Sequence, residues 1–451
     1  MSATIVLDIG KTNVKLVLLN EEGSTLAERR SPNTIVNDGP YPHHDTERIW
    51  QWMLAGLREF SQLAQVGAIV PVTHGATAAL VDDEDLVLPV QDYEFEFTLP
   101  GYEAMRPTYE ATRSPRLPAG LNLGRQLAWQ AQTFPEQFRK VRHILMYPQY
   151  WAWRLCGVAA GEVTSLGCHT DLWQPATQRY SSLVDVMEWR SAFPPLYPAW
   201  TPLGALRPAL AADTRLPTDC QVLCGIHDSN ASLLRHLDGE TPPAVLSTGT
   251  WVIAAAPGLP LDGLREDADM LANSSATGQP VACMRFMGGR EFAVLAGADA
   301  ETCSMDDVQA LVAQQTLALP CFAASGGPFA GRPGTVRGPA PATSAQRYAL
   351  ATLYCALMSD YCLNALGVTA DGAPVVVEGS VTGNPVFAPL LAALRPHQQI
   401  STSADDSSGT TCGGWMLHHW GKAPAKSGAI AAPLDVSGLS AYRAEWLKAV
   451  A

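Results

Sequence analysis

Residues 4–19 read TIVLDIGKTNVKLVLL. Two apolar runs rich in β-branched residues, Thr4–Ile9 and Val14–Leu19, flank a short polar turn at Gly10–Asn13. That is the pattern of a strand–turn–strand hairpin. Glu21-Glu22-Gly23 closes the second run with turn chemistry, and Ser24–Arg29 can add a third strand. Residues 46–65 carry Ile49, Met53, Leu54, Leu57 and Phe60 at helical spacing, and Ala68–Val72 reads as a buried strand.

The opening pattern returns at residues 244–255, AVLSTGTWVIAA, where the small-residue turn Ser247-Thr248-Gly249-Thr250 separates two apolar strands. A further strand, Pro374–Val377, leads into Glu378-Gly379-Ser380 and a helical run over Phe387–Leu394. Two hairpins of one design, about half a chain apart, predict two domains of related topology, with the boundary in the turn-rich stretch 236–243. Two long loops are expected, an aromatic and proline-rich one over Pro89–Pro118 and a glycine- and proline-rich one over 325–341.

The chain has 451 residues, 30 Lys+Arg against 43 Asp+Glu, and a formal net charge of −13. A 47% hydrophobic composition is ample for packed cores and excludes wholesale disorder. The acidic balance argues against nucleic acid as a partner, because phosphate backbones need a basic face. It is compatible with a nucleotide held by local donors. No run reaches the roughly 18 apolar residues of a membrane span. Asp8 interrupts the first apolar run and no basic region precedes it, so no signal peptide is expected. The ten cysteines contain no C-x-x-C pair, and they read as reduced thiols of a cytoplasmic protein without a zinc site.

Gly10-Lys11-Thr12 has the ending of a P-loop, but that motif needs glycine five residues earlier, where this chain has Ile5. No two glycines are spaced G-x-G, which removes the dinucleotide fingerprint. The turn can still bind phosphate. Gly10 admits close backbone approach, Lys11, Thr12 and Asn13 are donors, and Asp8 suits a hydrated Mg²⁺. An ordinary polar hairpin tip is the plain alternative, as it is for Ser247–Thr250. Gly225-Ile226-His227-Asp228-Ser229-Asn230 follows the apolar strand Gln221–Cys224 and places Asp228 at a strand end, where a carboxylate base for a hydroxyl nucleophile can sit. Here the plain alternatives are a helix cap at Ser229 or Asn230 and a structural His227.

These three segments, in this order, resemble the FGGY family of carbohydrate kinases over nearly the whole chain, closest in look to its rhamnulokinase and fuculokinase side. The resemblance implies an α/β, two-domain actin/hexokinase-like (ribonuclease H-like) fold with an interdomain cleft. Residues 1–240 would be the sugar-binding and catalytic-base domain, and residues 241–451 the nucleotide-binding domain. It implies Asp228 as catalytic base, and His74, Gly75, Gln91, Asp92 and His227 as sugar-facing. Asp8, Gly10, Lys11, Thr12 and Asn13 form the first phosphate turn, with Asp8 also holding Mg²⁺ through water. Ser247, Thr248, Gly249 and Thr250 form the second, and Gly379, Ser380 and Asn384 the adenosine turn. Glu378 stands where the family has glycine, and Gly409–Leu417 takes the place of its small-residue C-terminal helix. The implied activity is transfer of the ATP γ-phosphate to a small ketose such as L-rhamnulose or L-fuculose. Sugar and ATP are the implied partners, and a homodimer is left open. An ATPase of the same fold and a sugar-binding protein without turnover are the rival readings.

Overall fold

The computed structural model describes residues 2–237, 242–299, 302–369, 372–403, 409–422 and 428–451. The chain divides into two compact units. The first holds Met1–Asp238, Ala272–Pro280 and Ser407–Ala425, and the second holds Gly239–Leu271, Val281–Asp406 and Lys426–Ala451. Part of the stretch 236–243, where a boundary is expected from sequence, lies outside the described residues.

In the first unit the hairpin forms as read. Ala3–Ile9 pairs antiparallel with Asn13–Leu19, which pairs antiparallel with Thr25–Pro32. The helix Thr46–Phe60, capped by the Asp45 carboxylate accepting from the Arg48 amide at 3.0 Å, then carries the chain to Val66–Thr73. That strand lies parallel to Ala3–Ile9 on its other side. Gln221–Leu223 and Pro202–Ala205 extend the sheet beyond it, and Ile226–His227 adds to the end of Val66–Thr73. Ala3–Ile9 is buried on both faces, which is why it reads as a continuous apolar run. Ile5, Leu7 and Ile9 join the core with Met53, Leu57, Phe60 and Trp151. Val6 joins the opposite core with Val70, Val72, Ala231, Trp415 and Leu417.

The second unit repeats this plan. Ala244–Thr248 pairs antiparallel with Val252–Pro257, which pairs antiparallel with Pro280–Phe286. On its other side Val375–Gly379 runs parallel, followed by Ile400–Ser403 parallel and Gly428–Ile430 antiparallel. Six strands of each sheet share spatial order and relative direction, so the recurrence of hairpin sequence marks a recurrence of topology, while Met270–Ser274 at the edge of the second sheet and Ile226–His227 in the first have no counterpart.

Some local expectations change. The helix after Ile226–His227 spans Asp228–Leu234, so Asp228 is its first residue, and neither Ser229 nor Asn230 caps it. The loop 89–118 contains two single-turn helices, Tyr102–Met105 and Tyr109–Thr112, and the loop 325–341 contains the strand Thr335–Arg337.

The helix Gly409–His418 belongs to the first unit and runs along the hidden face of Ala3–Ile9. The His418 ring meets the Thr4 hydroxyl at 2.6 Å, Gly414 lies over Val6, and the Thr410 hydroxyl donates to Asp8 Oδ2 at 2.7 Å. Positions two apart on the strand therefore meet positions four apart on the helix. Two strand residues advance about 6.6 Å and four helical residues about 6 Å, so the contacts stay in step. Gly413 faces the helix Asp228–Leu234, where a Cβ would stand 2.1 Å from the Ala231 carbonyl oxygen. Gly413→Ala is expected to destabilise the protein by about 1–3 kcal/mol through forced separation of these helices. Chemical denaturation checks this, and an unchanged midpoint would refute the close packing.

Candidate active site

Asp228 is placed by the turn from Ile226–His227 into its helix. Its side chain is 27% exposed, so a substrate can reach it. Its Oδ1 accepts from the Ser229 amide at 2.6 Å and meets His227 Nε2 at 3.1 Å. The Asn230 amide nitrogen lies 3.2 Å from His227 Nδ1. With Nδ1 accepting there, the ring proton sits on Nε2 and points at Asp228. These contacts converge on Oδ1, so Oδ2 is the oxygen positioned to take a proton. Burial raises the Asp228 pKa above the ordinary 3.8, and His74 opposes the rise. Burial also lowers His227 to about 4, which keeps it neutral. Gly75 lies under this ring, and a Cβ there would come within 2.7 Å of Nε2.

His74 donates from Nδ1 to the Gly75 carbonyl at 3.0 Å, and its Nε2 has no partner. Its ring lies 5.0 Å from His44, 5.6 Å from Tyr93 and 5.2 Å from Tyr147, measured between centroids. Gln91 is buried with both amide atoms unpartnered. Lys11 lies over the Tyr93 ring and forms ion pairs with Asp92 and, at 3.5 Å, Glu94. Lys11 and Asp92, expected from sequence to serve phosphate and sugar separately, are thus bound to each other.

Asp8 is buried beside Lys15, whose ammonium stands 3.4 Å from Oδ2, and it accepts from Thr410. Burial raises its pKa in spite of Lys15, and the Asp228 charge adds to the rise. A single hard-oxygen ligand next to a second carboxylate fits a Mg²⁺ that keeps its own waters and takes its other ligands from phosphate. Among the described residues no group of three His, Cys, Asp or Glu could cage a metal by itself. Gly10 closes the turn by donating to the Asn13 carbonyl at 2.9 Å, and the Asn33 amide holds the Gly10 carbonyl at 2.8 Å. Thr12 and Asn13 are exposed at the tip, with the Asn13 amide donating to the Thr12 hydroxyl at 3.1 Å.

Sequence reading missed several groups. The hairpin register, which pairs Asp8 with Lys15, could have found Lys15. His44, Tyr93, Tyr147 and Thr410 come from separate elements and carry no local signal. Behind His227 lies Glu162, fully buried. Its Oε2 accepts from the Thr164 amide at 2.9 Å and the Thr164 hydroxyl at 2.5 Å, and that hydroxyl accepts from the His227 amide at 3.0 Å.

In the second unit, Thr248 lies opposite Gly379 in the sheet. The Thr248 hydroxyl donates to the Glu378 carbonyl at 2.6 Å and accepts from the Val381 amide at 3.1 Å. Gly379 has φ +87°, and a Cβ there would meet the Thr248 carbonyl at 2.0 Å, so only glycine fits this crossing. The Asn384 side chain donates to Thr352 at 2.9 Å and accepts from the Val386 amide at 3.0 Å. Thr248 and Asn384, expected to face a nucleotide, therefore have their polar side-chain atoms engaged in building the turn. Gly249 donates to the Trp251 carbonyl at 2.9 Å, while Ser247 and Thr250 are exposed. Beside the turn is a cavity of about 270 Å³ lined by Val252, Phe292, Tyr348, Ser380, Val381 and Phe387, among others.

Glu162 yields a stability test. Burial raises its pKa from 4.5 to about 8. Between these values the folded chain holds a proton that the unfolded chain has lost, so stability falls as pH rises through this window. Glu162→Gln is expected to flatten that fall and to be more stable than the wild type at pH 8. Thermal unfolding from pH 5 to 8 checks it, and parallel curves would refute a protonated Glu162.

Residues 240–426 match the model of the C-terminal domain of FGGY carbohydrate kinases. L-fuculokinase from Haemophilus influenzae is 27% identical over 57% of this chain and 58% of its own. Xylulose kinase from Escherichia coli is 28% identical over 54% and 52%. The chain thus spans about half the length of the curated relatives it matches. A crystal structure of a carbohydrate kinase from Novosphingobium aromaticivorans superposes with a TM-score of 0.92 at 34% identity, covering 99% of this chain and all of that one. On that full-length likeness, together with the domain match and the duplicated two-unit fold, this chain belongs to the FGGY family of carbohydrate kinases.

Proposed function

We propose that this protein transfers the γ-phosphate of ATP to a hydroxyl of a small ketose of the L-fuculose or L-rhamnulose kind. The observation that carries the reading is Asp228. It is an accessible carboxylate with one oxygen held by His227 and Ser229, the other directed to take a proton, and its pKa raised by burial. The acceptor lies against the first unit, beside His74 and Gln91. Asp228 Oδ2 takes its hydroxyl proton as the oxygen attacks phosphorus.

Phosphoryl transfer depends chiefly on positioning and charge neutralisation. Mg²⁺, when bound, would supply neutralising charge, and Asp8 is the residue that would hold it through its waters. Thr12 and Asn13 in one turn, and Ser247, Gly249 and Thr250 in the other, are the phosphate-contacting groups. The engagement of Lys11 by Asp92 assigns it first to shaping the acceptor site. The adenosine moiety takes the cavity beside Gly379 and Ser380, whose apolar walls suit a base face. The names of the relatives support the sugar class, and fuculokinases are prominent among them.

Asp228→Asn is expected to retain nucleotide and sugar binding while losing at least about a hundredfold in turnover, the usual range for a general base. In the wild type, kcat/KM is expected to fall with pH as Asp228 protonates, at a pH above the ordinary aspartate value of 3.8. ADP release across a ketose panel, followed against pH, checks both. Near wild-type turnover by the variant would remove Asp228 from the base role.

A further inference from the structure

Among the described residues of the first unit, several buried side chains leave polar atoms without partners, and three of these side chains lie together, the two histidine rings against the Tyr147 ring, whose hydroxyl is also unpartnered. Both ring nitrogens of His44, both amide atoms of Gln91 and Nε2 of His74 have no hydrogen bond, although His44 and Gln91 are each only 1% exposed. Buried polar groups are ordinarily satisfied, so a cluster left open marks a place meant for a ligand or for ordered water. The three groups are neighbours. The His44 and His74 rings lie 5.0 Å apart and 36° from parallel. The His44 amide donates to the Val90 carbonyl at 2.9 Å, one residue before Gln91, and Gln91 forms a β-bridge with His43. Gly75, the residue after His74, lies under the His227 ring, whose Nε2 stands 3.1 Å from Asp228 Oδ1.

The chemistry of the open atoms narrows the ligand. An uncharged imidazole with both nitrogens open offers one donor and one acceptor, and a carboxamide offers donors and an acceptor. A hydroxyl, itself donor and acceptor, matches such groups. A carboxylate only accepts and would leave the acceptors unmet. The nearby cations are already paired, Lys11 with Asp92 and Glu94, and Lys15 with Asp8. A sugar acid would therefore meet the Asp228 charge with no cation left to offset it.

We infer that His44 and Gln91 bind adjacent hydroxyls of an uncharged polyhydroxy acceptor beside Asp228, and that this pair makes the site select neutral ketoses over sugar acids. The inference rests on the acceptor site proposed above and adds His44 as a specificity-determining residue.

The test uses the full chain, calorimetric titration with L-fuculose, L-rhamnulose and D-xylulose, and D-gluconate as the acid. His44→Phe keeps an aromatic ring and removes both open nitrogens, and Gln91→Met does the same for the amide. Each is expected to weaken binding of the best ketose at least about tenfold, one hydrogen bond's worth. Each is also expected to hold or raise the melting temperature, since an unpaired buried polar group has been removed. A merely structural histidine would give the opposite pair of results. Gluconate is expected to bind at least about tenfold more weakly than the best ketose. Unchanged ketose affinity in both variants, or gluconate bound as tightly as the ketoses, overturns the inference and leaves the kinase reading standing. A wild type that neither binds any ketose nor releases ADP with one removes the kinase reading, and this inference with it.

Discussion

Everything at the candidate base rests on one fit, the helix Gly409–His418 lying along the strand Ala3–Ile9. The matched advance of two strand residues and four helical residues brings Thr410 to Asp8, Gly414 to Val6 and His418 to Thr4. The same helix meets the one that Asp228 opens, across Gly413. Two carboxylates about 220 residues apart in sequence are thereby referred to a single rigid support. Small residues make this possible because the backbones approach closer than any side chain would allow.

The floor of the acceptor site follows a different logic. In the first unit Glu162 Oε2 holds Thr164, and Thr164 holds the His227 amide, a tight local scheme. His44, His74 and Gln91 depart from it. Burial holds the two histidines in the uncharged form, lowering His74 to about 4 and His44 well below its ordinary value. Nearby, the Lys11 charge is offset by Asp92. The result is a surface of dipoles rather than charges, suited to a ligand with many hydroxyls and no net charge. The second unit makes the converse choice. There Thr248 and Asn384 turn their polar atoms inward to hold the turn, leaving a cavity walled largely by apolar side chains.

The architecture was legible in the sequence because both hairpins are built from local pattern. Buried on both faces, Ala3–Ile9 had to be continuously apolar, and Gly10–Asn13 had to turn. The recurrence at 244–255 announced a second sheet of the same order. Asp228 was legible for a similar reason, since it stands three residues past Gly225, which ends an apolar strand. Its neighbours were not. His44 lies in a two-residue strand with no period to read, and Thr410 reaches Asp8 only because a late segment returns to the first unit. Lys11 looked like a phosphate ligand because its turn suggested one, and its pairing with Asp92 could not be inferred from residues 81 positions apart.

The chain by itself determined the hairpins, the duplicated topology and the identity of the acidic residue at the head of its helix, because these depend on hydrophobic period and turn chemistry within a few residues. Tertiary structure alone decided which polar atoms are engaged and which remain open. That property depends on side chains brought together from distant segments, and on the burial that makes an unpaired atom costly. The bare nitrogens of His44 and the occupied amide of Asn384 could not have been told apart in sequence.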